Sequence, residues 1–332
     1  ALQDKSLVLV SIRIASYYTN RNEYEKANAY LDQAQRNLRK DTIGNESINA
    51  IYAQRAIVLV KTGNYTKALD LFYKASKYYE QNGFQKDLAN LLLNIGLSFD
   101  SMGNYEASLK NYFEAMTITE NNHYSLEQIK LESAVGWAYY RLDQFSLAEE
   151  YVRKAISTAE KNNHQFELSA AFNLMGLIEN ELGHHEEGFR YLNQALAIRE
   201  KLDDKLRVAA TLFNIGRVYE KQENLNKALD FQMKSLAIQE ATNNLQGMAY
   251  SYQRVGTLLI KQNNFAQAAG YLDKSEKIAK QIKARFILVT VFEAQRDLSV
   301  ATAQFPKAIS YTKLYETLKD SIFNEGLSSR IS

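Results

Sequence analysis

The amino-acid sequence predicts an all-α protein, built as a stack of about eight helical hairpins. Three observations predict this fold: a single proline, a forty-residue recurrence of small residues, and helical spacing of the apolar residues between them. A chain of 332 residues with average proline usage, about 5%, would contain roughly 17 prolines. Because proline breaks helix interiors, one proline in the whole chain favours helices throughout.

Small residues recur at intervals of forty positions and set the length of each repeat. Two further series, of Ala, Ser and Gly, keep the same step. The first series is Ala56, Gly96, Gly136, Gly176, Gly216 and Gly256; the second runs from Ala68 to Ala308, and the third from Ala75 to Ser275. Three registers that stay aligned along most of the chain are the signature of a repeat architecture.

Within each repeat the apolar residues follow the period of an α-helix. Leu92, Ile95 and Phe99 recur at steps of three and four, which places them on one helix face. A turn such as Gly103-Asn104 then ends the first helix and begins the second. Small residues at the aligned positions let the two helices cross closely. One hairpin alone cannot bury its apolar stripe, so we expect the hairpins to stack.

The repeat register and the polar breaks between copies predict one helical domain over residues 1–322. Its expected hairpins are residues 7–44, 48–83, 88–123, 128–163, 168–203, 208–243, 248–283 and 288–322. The last copy has Arg296 at the small position, which suits a terminal repeat with a more polar exposed face.

Composition excludes several classes of protein. The chain has no cysteine, so disulfides, zinc–thiolate sites and cysteine nucleophiles are ruled out. The 40 basic and 38 acidic residues nearly balance, whereas nucleic-acid binding needs a clustered basic surface. No segment approaches the roughly 18 uninterrupted apolar residues of a membrane span. We therefore predict neither nucleic-acid binding nor membrane insertion by this chain.

Enzyme motifs are missing from the sequence. There is no phosphate-binding glycine loop, dinucleotide fingerprint, nucleophile elbow or zinc-protease helix motif. His184 and His185 form a pair at a predicted turn, which is either half of a metal site or a solvated turn. No third ligand is spaced nearby. We predict that this chain has no catalytic residue, metal or cofactor.

The spacing of small and aromatic residues resembles the tetratricopeptide repeat. Gly96, Phe99, Ser108, Tyr112 and Ala115 fit its pattern, and the resemblance covers nearly the whole chain. The period of forty departs from the usual 34, and the closing proline is missing; both fit a variant with extended helices. The resemblance implies a right-handed superhelical solenoid. It also implies that the first helix of each hairpin lines a concave groove that binds a peptide or protein segment.

Transferred to this sequence, the repeat pattern gives a set of groove residues. Their amides can bond to both the N–H and the C=O of a peptide, arginines can bind carboxylates, and Trp137 is the expected hot spot. The set is Asn90, Asn94, Lys130, Trp137, Tyr140, Arg141, Asn173, Asn180, Asn214, Arg217, Gln253 and Arg254. Each of these residues also has a plainer interpretation, as a packed or solvated helix residue.

The end of the chain resembles a junction in one class of signalling protein. Residues 311–325, which contain the run Lys319–Glu325, are similar to the end of the repeat region in Bacteroidetes-type sensor histidine kinases and related membrane-anchored regulators. The resemblance implies a periplasmic sensor region, outside the inner membrane, whose residues 323–332 begin a linker to a downstream module. Gly326 departs from the continuous helix expected there.

Two other functions stay open. The chain also resembles the peptide-pheromone receptors of Gram-positive bacteria, which implies a free-standing cytoplasmic peptide-binding regulator. Alternatively, it is an assembly scaffold with no regulated output. The sequence predicts neither the identity of the ligand nor the oligomeric state.

Overall fold

The computed structural model describes the backbone of residues 2–21, 23–38 and 45–331, and the side chains of residues 6–21, 23–38 and 45–322. These residues form helices joined by short connections and contain no strand. The helices are α1 (Leu2–Asn20), α2 (Tyr24–Arg36), α3 (Asn45–Lys61), α4 (Tyr65–Gln81), α5 (Gln85–Ser101), α6 (Tyr105–Asn122), α7 (Ser125–Arg141), α8 (Phe145–Lys161), α9 (Gln165–Glu181), α10 (His185–Lys201), α11 (Lys205–Lys221), α12 (Leu225–Ala241), α13 (Leu245–Lys261), α14 (Phe265–Gln281), α15 (Arg285–Ala301) and α16 (Phe305–Ile331). The predicted all-α fold is confirmed.

A left-handed residue ends each helix from α3 to α15. It stands at position 63 and at every twentieth position after it, as far as Ala303. At the first of these turns, the N–H of Asn64 donates to the C=O of Leu59 over 2.8 Å. This bond satisfies a carbonyl that the helix end would otherwise leave unpaired. A helix and its turn therefore occupy twenty residues, and a hairpin occupies forty.

The aligned small residues lie where the two helices of a hairpin cross. A Cβ atom added to Gly136 would stand 2.4 Å from Cγ2 of Val152, and one on Gly256 would stand 2.7 Å from Cγ of Leu272. No Cβ atom tolerates such distances, so these positions require glycine unless the partner helix shifts. The predicted close approach of the paired helices is confirmed at these crossings.

The chain divides into two compact units, Ala1–Asn162 and Asn163–Ser332. Unit 1 contains α1–α8, and its larger core cluster includes the buried side chains of Phe72, Ile95 and Tyr112. Unit 2 contains α9–α16, and one of its core clusters includes Tyr252 and Val255. In both units each odd-numbered helix packs against the even-numbered helix that follows it, which forms the hairpins.

The odd-numbered helices, called the first helices below, form one face of each unit. Neighbouring first helices contact each other directly, as α5 and α7 do in unit 1 and α9 and α11 in unit 2. Neighbouring second helices make no comparable contact in the described part of the chain. The stacking is therefore tighter on the first-helix side, which is the side that the sequence predicts to bind a ligand.

Two of the expected boundaries fall at residues 39–44 and 323–331. Residues 39–44, at the end of the first predicted hairpin, lie outside the described residues. Residues 323–331, predicted to begin a linker, continue α16 as helix, and their side chains lie outside the description. The boundaries and the linker therefore stay predictions. Among the helices that the structure describes, none is both long and apolar enough to cross a membrane.

Candidate functional site

An aromatic pair lies on the first-helix face of unit 1. The rings of Trp137 and Tyr140 stack one helical turn apart on α7, with centroids 5.3 Å apart and an angle of 21° between their planes. Tyr140 also contacts Phe145 at the start of α8. Both members of the pair are half-buried. The packed faces hold the rings in place, and the exposed portions leave an aromatic surface for a ligand.

Three other predicted residues of unit 1 make only local contacts. Asn90 Nδ2 donates to the C=O of Lys86, and Asn94 Nδ2 donates to the C=O of Asn90 over 2.8 Å. Lys130 is half-buried and forms no ion pair among the described residues. Asn94 is therefore committed in part to its own helix, which leaves its Oδ1 as the side-chain group for another partner.

Arg141 lies at the end of α7, over the hairpin that precedes it. Its Nε donates to the hydroxyl of Tyr105 over 3.1 Å, and its guanidinium stands 5.7 Å from the centre of that ring. Burial raises the pKa of Asp100, and the charge of Arg141 lowers it in part. One carboxylate oxygen of Asp100 is buried without a partner. Arg141 thus balances a poorly solvated acid as well as presenting a charge to solvent.

In unit 2 two predicted amides meet across neighbouring first helices. Asn214 Nδ2, on α11, donates to Asn173 Oδ1, on α9, over 3.2 Å, and both side chains are half-buried. Neither Asn173 Nδ2 nor Asn214 Oδ1 has a partner among the described residues. The pair therefore offers one free donor and one free acceptor on the same face.

A residue that the sequence reasoning missed completes this cluster. Arg199 comes from the second helix α10, is 5% exposed, and reaches between α9 and α11. Its Nε donates to Ser169 Oγ over 3.3 Å, and its Nη1 donates to Thr211 Oγ1 over 2.5 Å. Nη1 also lies within hydrogen-bond distance of Asn173 Oδ1, at 3.4 Å, and of the C=O of Arg207, at 3.2 Å.

Arg199 fixes the direction of the amide pair. A guanidinium can only donate hydrogen bonds, so the atom of Asn173 that faces it must be the acceptor Oδ1. Because that same oxygen faces Asn214, the atom that Asn214 presents to it must be the donor Nδ2. The free donor and the free acceptor of the pair are therefore set by one buried charge rather than by a free choice between amide orientations.

The next first helices of unit 2 carry a charge cluster. Glu220, on α11, is nearly buried and receives hydrogen bonds from Arg254 and, over 2.9 Å, from Lys261 on α13. Burial lowers the pKa of Arg254, and Glu220 opposes that effect. Arg217 is exposed on α11 and adds a second positive charge near Arg254. Of the two predicted arginines, Arg254 is thus paired, whereas Arg217 faces solvent.

Two of the predicted amides face other helices. Gln253 is 6% exposed, and its Nε2 donates to Thr257 and, over 3.4 Å, to the C=O of Thr290 on the next first helix. The groove position predicted for Asn180 is wrong. Asn180 is 5% exposed and lies against α10, where its side chain fills the space that Gly188 leaves free. Its Oδ1 is 3.1 Å from Nδ1 of His185.

The histidine pair at the turn between α9 and α10 has ordinary hydrogen-bond partners. Nδ1 of His184 lies 2.8 Å from a carboxylate oxygen of the buried Glu179, and His185 contacts Asn180. No group of three potential metal-ligating side chains occurs among the residues that the structure describes. The geometry therefore explains both histidines as parts of the turn.

Solved structures of several regulators share this fold. A Rap protein complexed with Competence and Sporulation Factor is 15% identical, with a TM-score of 0.63 over 96% of this chain and 99% of that chain. NprR in complex with its cognate peptide NprX is 18% identical, with a TM-score of 0.63 over 97% and 95%. Aspartyl phosphate phosphatase F from Bacillus subtilis is 14% identical, with a TM-score of 0.64 over 95% and 94%. At these identities the likeness shows the fold, and the absence of catalysis stays a prediction.

The expected periplasmic location is wrong. That expectation came from the short stretch 311–325, whereas the similarity over nearly the whole chain is to Rap and NprR regulators. In the structure this stretch lies within α16, which packs against α15 as the last hairpin. A terminal helix of mixed polar and apolar residues suits any such array, so it does not identify a membrane receptor.

Matches to known sequences agree with the architecture. No curated protein matches the chain. The sequence profile described as "Tetratricopeptide repeat" matches residues 46–121, 87–161 and 167–241, which is more than half of the chain. These segments contain α3–α8 of unit 1 and α9–α12 of unit 2, with their forty-residue hairpins and close glycine crossings. The chain belongs to the tetratricopeptide repeat family.

Proposed function

We propose that this chain is a non-catalytic peptide-binding module that acts as a cytoplasmic regulator. In this proposal the ligand is an extended peptide, or a segment of a partner protein, bound along the first-helix faces. The observation that carries the proposal is the amide pair Asn173–Asn214, which has one donor and one acceptor free.

The free groups of this pair match a peptide backbone. A peptide unit presents one N–H and one C=O, which would pair with Asn214 Oδ1 and Asn173 Nδ2. Bonds to the backbone do not depend on the ligand side chains, so they supply affinity for extended peptides in general. Specificity would then come from other groups of unit 2, such as the exposed Arg217. In unit 1, the exposed parts of Trp137 and Tyr140 form a separate aromatic surface that could contact a ligand.

The comparisons support this choice among the possible functions. The Rap protein was solved with Competence and Sporulation Factor, and NprR was solved with its cognate peptide NprX. The remaining site residues of the proposal are the half-buried or exposed members of the predicted set. In unit 1 they are Asn90, Asn94, Lys130, Tyr140 and Arg141, and in unit 2 Arg254.

A peptide-retention experiment tests the proposed function. The protein is incubated with a synthetic library of random octapeptides, and the peptides that co-elute with it in gel filtration are identified by mass spectrometry. We expect the wild-type protein to retain a defined set of sequences. The double variant N173A/N214A should retain them at least tenfold less, because about 1.4 kcal/mol of binding free energy corresponds to a tenfold loss, and two backbone hydrogen bonds are removed.

The control is N111A/N193A, which removes two asparagines from second helices. It should retain the same peptides as the wild type. Both double variants should have unfolding temperatures within a few degrees of the wild-type value. The proposal is overturned if the wild type retains no peptide, or if N173A/N214A retains peptides as well as the control does.

The alternative functions make different predictions about the downstream gene sequence and about the response to peptides. A sensor histidine kinase would have a membrane span and a kinase module encoded after the codon for Ser332. A scaffold would co-purify with one partner and show no response to peptides. The similarity of residues 311–325 to the kinase junction is short, whereas the similarity to the Rap and NprR structures extends over nearly the whole chain.

A further inference from the structure

Arg199 is a buried cation that has no carboxylate partner among the residues that the structure describes. All of the hydrogen-bond acceptors that it reaches among the described residues are neutral: two hydroxyls, an amide oxygen and a backbone C=O. Buried charges in proteins are normally paired, because transfer of an isolated charge out of water is costly. An arginine at 5% exposure with only neutral acceptors is therefore a site that lacks its counter-charge.

The charges around this arginine do not neutralise it. Asp204, whose charge acts on Arg199, accepts a hydrogen bond from Arg207 over 2.6 Å, so it already balances another cation. Burial and, to a smaller extent, the charge of Arg207 lower the pKa of Arg199, and Asp204 opposes them, which leaves a pKa of about 10. The region between α9 and α11 thus keeps an excess of positive charge.

Two hydrogen-bond donors remain available in this cluster. Arg199 Nη2 has no partner among the described residues, and it is not one of the fully buried unpartnered atoms. Asn173 Nδ2 is likewise free, because the contact with Arg199 turns its Oδ1 inward. Two donors beside a positive charge are what a carboxylate group accepts.

A buried charge at this position occurs in one hairpin of the described array. At steps of forty residues the equivalent positions hold the uncharged Tyr79, Thr119, Ala159, Gln239 and Ala279. The remaining one, Lys319, is exposed to solvent. A ligand group that compensates the arginine would therefore bind at one place along the array and fix the register of the peptide.

We propose that Arg199 and Asn173 form the subsite for a carboxylate of the bound peptide, either its C-terminus or an Asp or Glu side chain. This inference depends on the proposed function, since it assigns a ligand group to the same face. Asn214 Oδ1 then accepts a backbone N–H of the same peptide, and the two N–H bonds of Asn173 Nδ2 are shared between the carboxylate and a neighbouring backbone C=O. The carboxylate neutralises the buried guanidinium, so acidic or C-terminally free peptides are preferred over neutral ones.

The test compares two forms of the random octapeptide library, one with free C-terminal carboxylates and one with carboxamides. Enrichment for free carboxylates would identify the C-terminus as the bound group, and enrichment for Asp or Glu at one position in both libraries would identify a side chain. With the wild-type protein we expect at least tenfold enrichment of one of these. The variant R199Q should lose that enrichment, whereas R199K, which keeps the charge, should retain part of it.

The variant R190Q is the matched control. Arg190 lies on the same helix, is exposed and pairs with Glu187, so its replacement changes the net charge equally without touching the cluster. R190Q should keep the wild-type preference. Gln is chosen because the equivalent position in α12 is Gln239, and thermal unfolding checks that R199Q folds.

The outcomes separate this inference from the proposed function. If the wild type retains free-carboxylate and carboxamide peptides equally and shows no preference for Asp or Glu at any position, the carboxylate subsite alone is overturned. An unchanged preference in a folded R199Q would have the same consequence. If R199Q fails to fold, R199K and N173A take its place in the comparison. The wild type should then prefer carboxylate-bearing peptides more strongly than either variant, and an equal preference would overturn the subsite. No retained peptide at all would overturn both.

Discussion

Glu132, on α7, couples the stability of unit 1 to pH through one buried carboxylate. Its Oε1 accepts a hydrogen bond from Gln128 Nε2 over 3.1 Å, whereas its Oε2 is buried without a partner. Burial raises the pKa of Glu132, and hydrogen bonds from Gln128 and Thr158 lower it in part. The folded state therefore holds this proton more tightly than the unfolded state does. The stabilisation that this group contributes is fully present at low pH, and it is lost as the pH rises from the ordinary carboxyl range through the raised pKa.

Removal of this charge should stabilise the protein at neutral pH. We expect E132Q to have a higher free energy of unfolding than the wild type at pH 7.5, and a smaller advantage at pH 4.5, because the wild-type carboxyl is increasingly protonated there. Urea unfolding at the two pH values measures the difference. The control E150Q removes an exposed carboxylate from α8 and should show no such gain. A less stable E132Q at pH 7.5 would contradict the burial argument.

The residue scale also shows what the sequence could not predict. Asn94 and Asn214 have the same place in their repeats, yet only Asn214 pairs with another amide. The reason is the residue 41 positions earlier, which is Asn173 for Asn214 but Ala53 for Asn94. Asn180 was misplaced because the missing side chain of Gly188 opens a space inside the hairpin.

Arg199 escaped prediction for a different reason. The repeat pattern places groove residues on the first helices, and this residue comes from a second helix. A signal existed nevertheless: an arginine stands where the neighbouring repeats have the uncharged residues Ala159 and Gln239. A charge at a position that is uncharged and buried in nearby repeats, as at Thr119 and Ala159, predicts either an internal partner or a ligand.

At the scale of the element, the recurring left-handed turn sets the length of each helix and hairpin. A left-handed residue is easiest for glycine, because other residues bring Cβ close to the backbone. Gly63, Gly83, Gly103 and Gly183 meet this need, while the remaining turns use other residues, Ala303 among them. The sequence predicted turns in the right places because glycine and asparagine mark most of them. It did not predict that the same geometry would recur with alanine.

Replacement of Ala303 by glycine should stabilise the last hairpin. The φ angle of Ala303 is 55°, so A303G relieves strain and should raise the free energy of unfolding by about 1 kcal/mol. The control A237G makes the same change at an exposed position inside α12, where glycine should cost about 1 kcal/mol. Denaturant unfolding of both variants compares them. Equal effects of the same sign would show that the backbone angle is not the cause.

At the scale of the whole molecule, each helix depends on its neighbours in the chain. Contacts join helices that are adjacent or next but one in sequence, within each unit. The stability of such an array is a sum of local and nearest-neighbour contributions, so damage in one hairpin need not unfold the rest.

Overpacking of one crossing should therefore have a local effect. A Cβ on Gly176 would stand 2.6 Å from Cγ of Leu192 and 2.8 Å from the C=O of Gly188, so G176A should cost about 1–3 kcal/mol. We expect faster amide hydrogen exchange in α9, α10 and α11, and unchanged exchange in α3–α6. The control G270A fills open space on an exposed helix face and should slow exchange slightly or leave it unchanged. Uniform acceleration along the chain in G176A would contradict local coupling.

The twenty-residue spacing of the left-handed turns also constrains how the gene can change. An insertion of one such segment would put a second helix where a first helix must stand, and every later hairpin would present the wrong side. Insertion or loss of a whole hairpin keeps the alternation intact. Unequal recombination within the coding region is therefore tolerated only in steps of roughly 120 base pairs. The length of the ligand-binding surface changes by one hairpin with each such step.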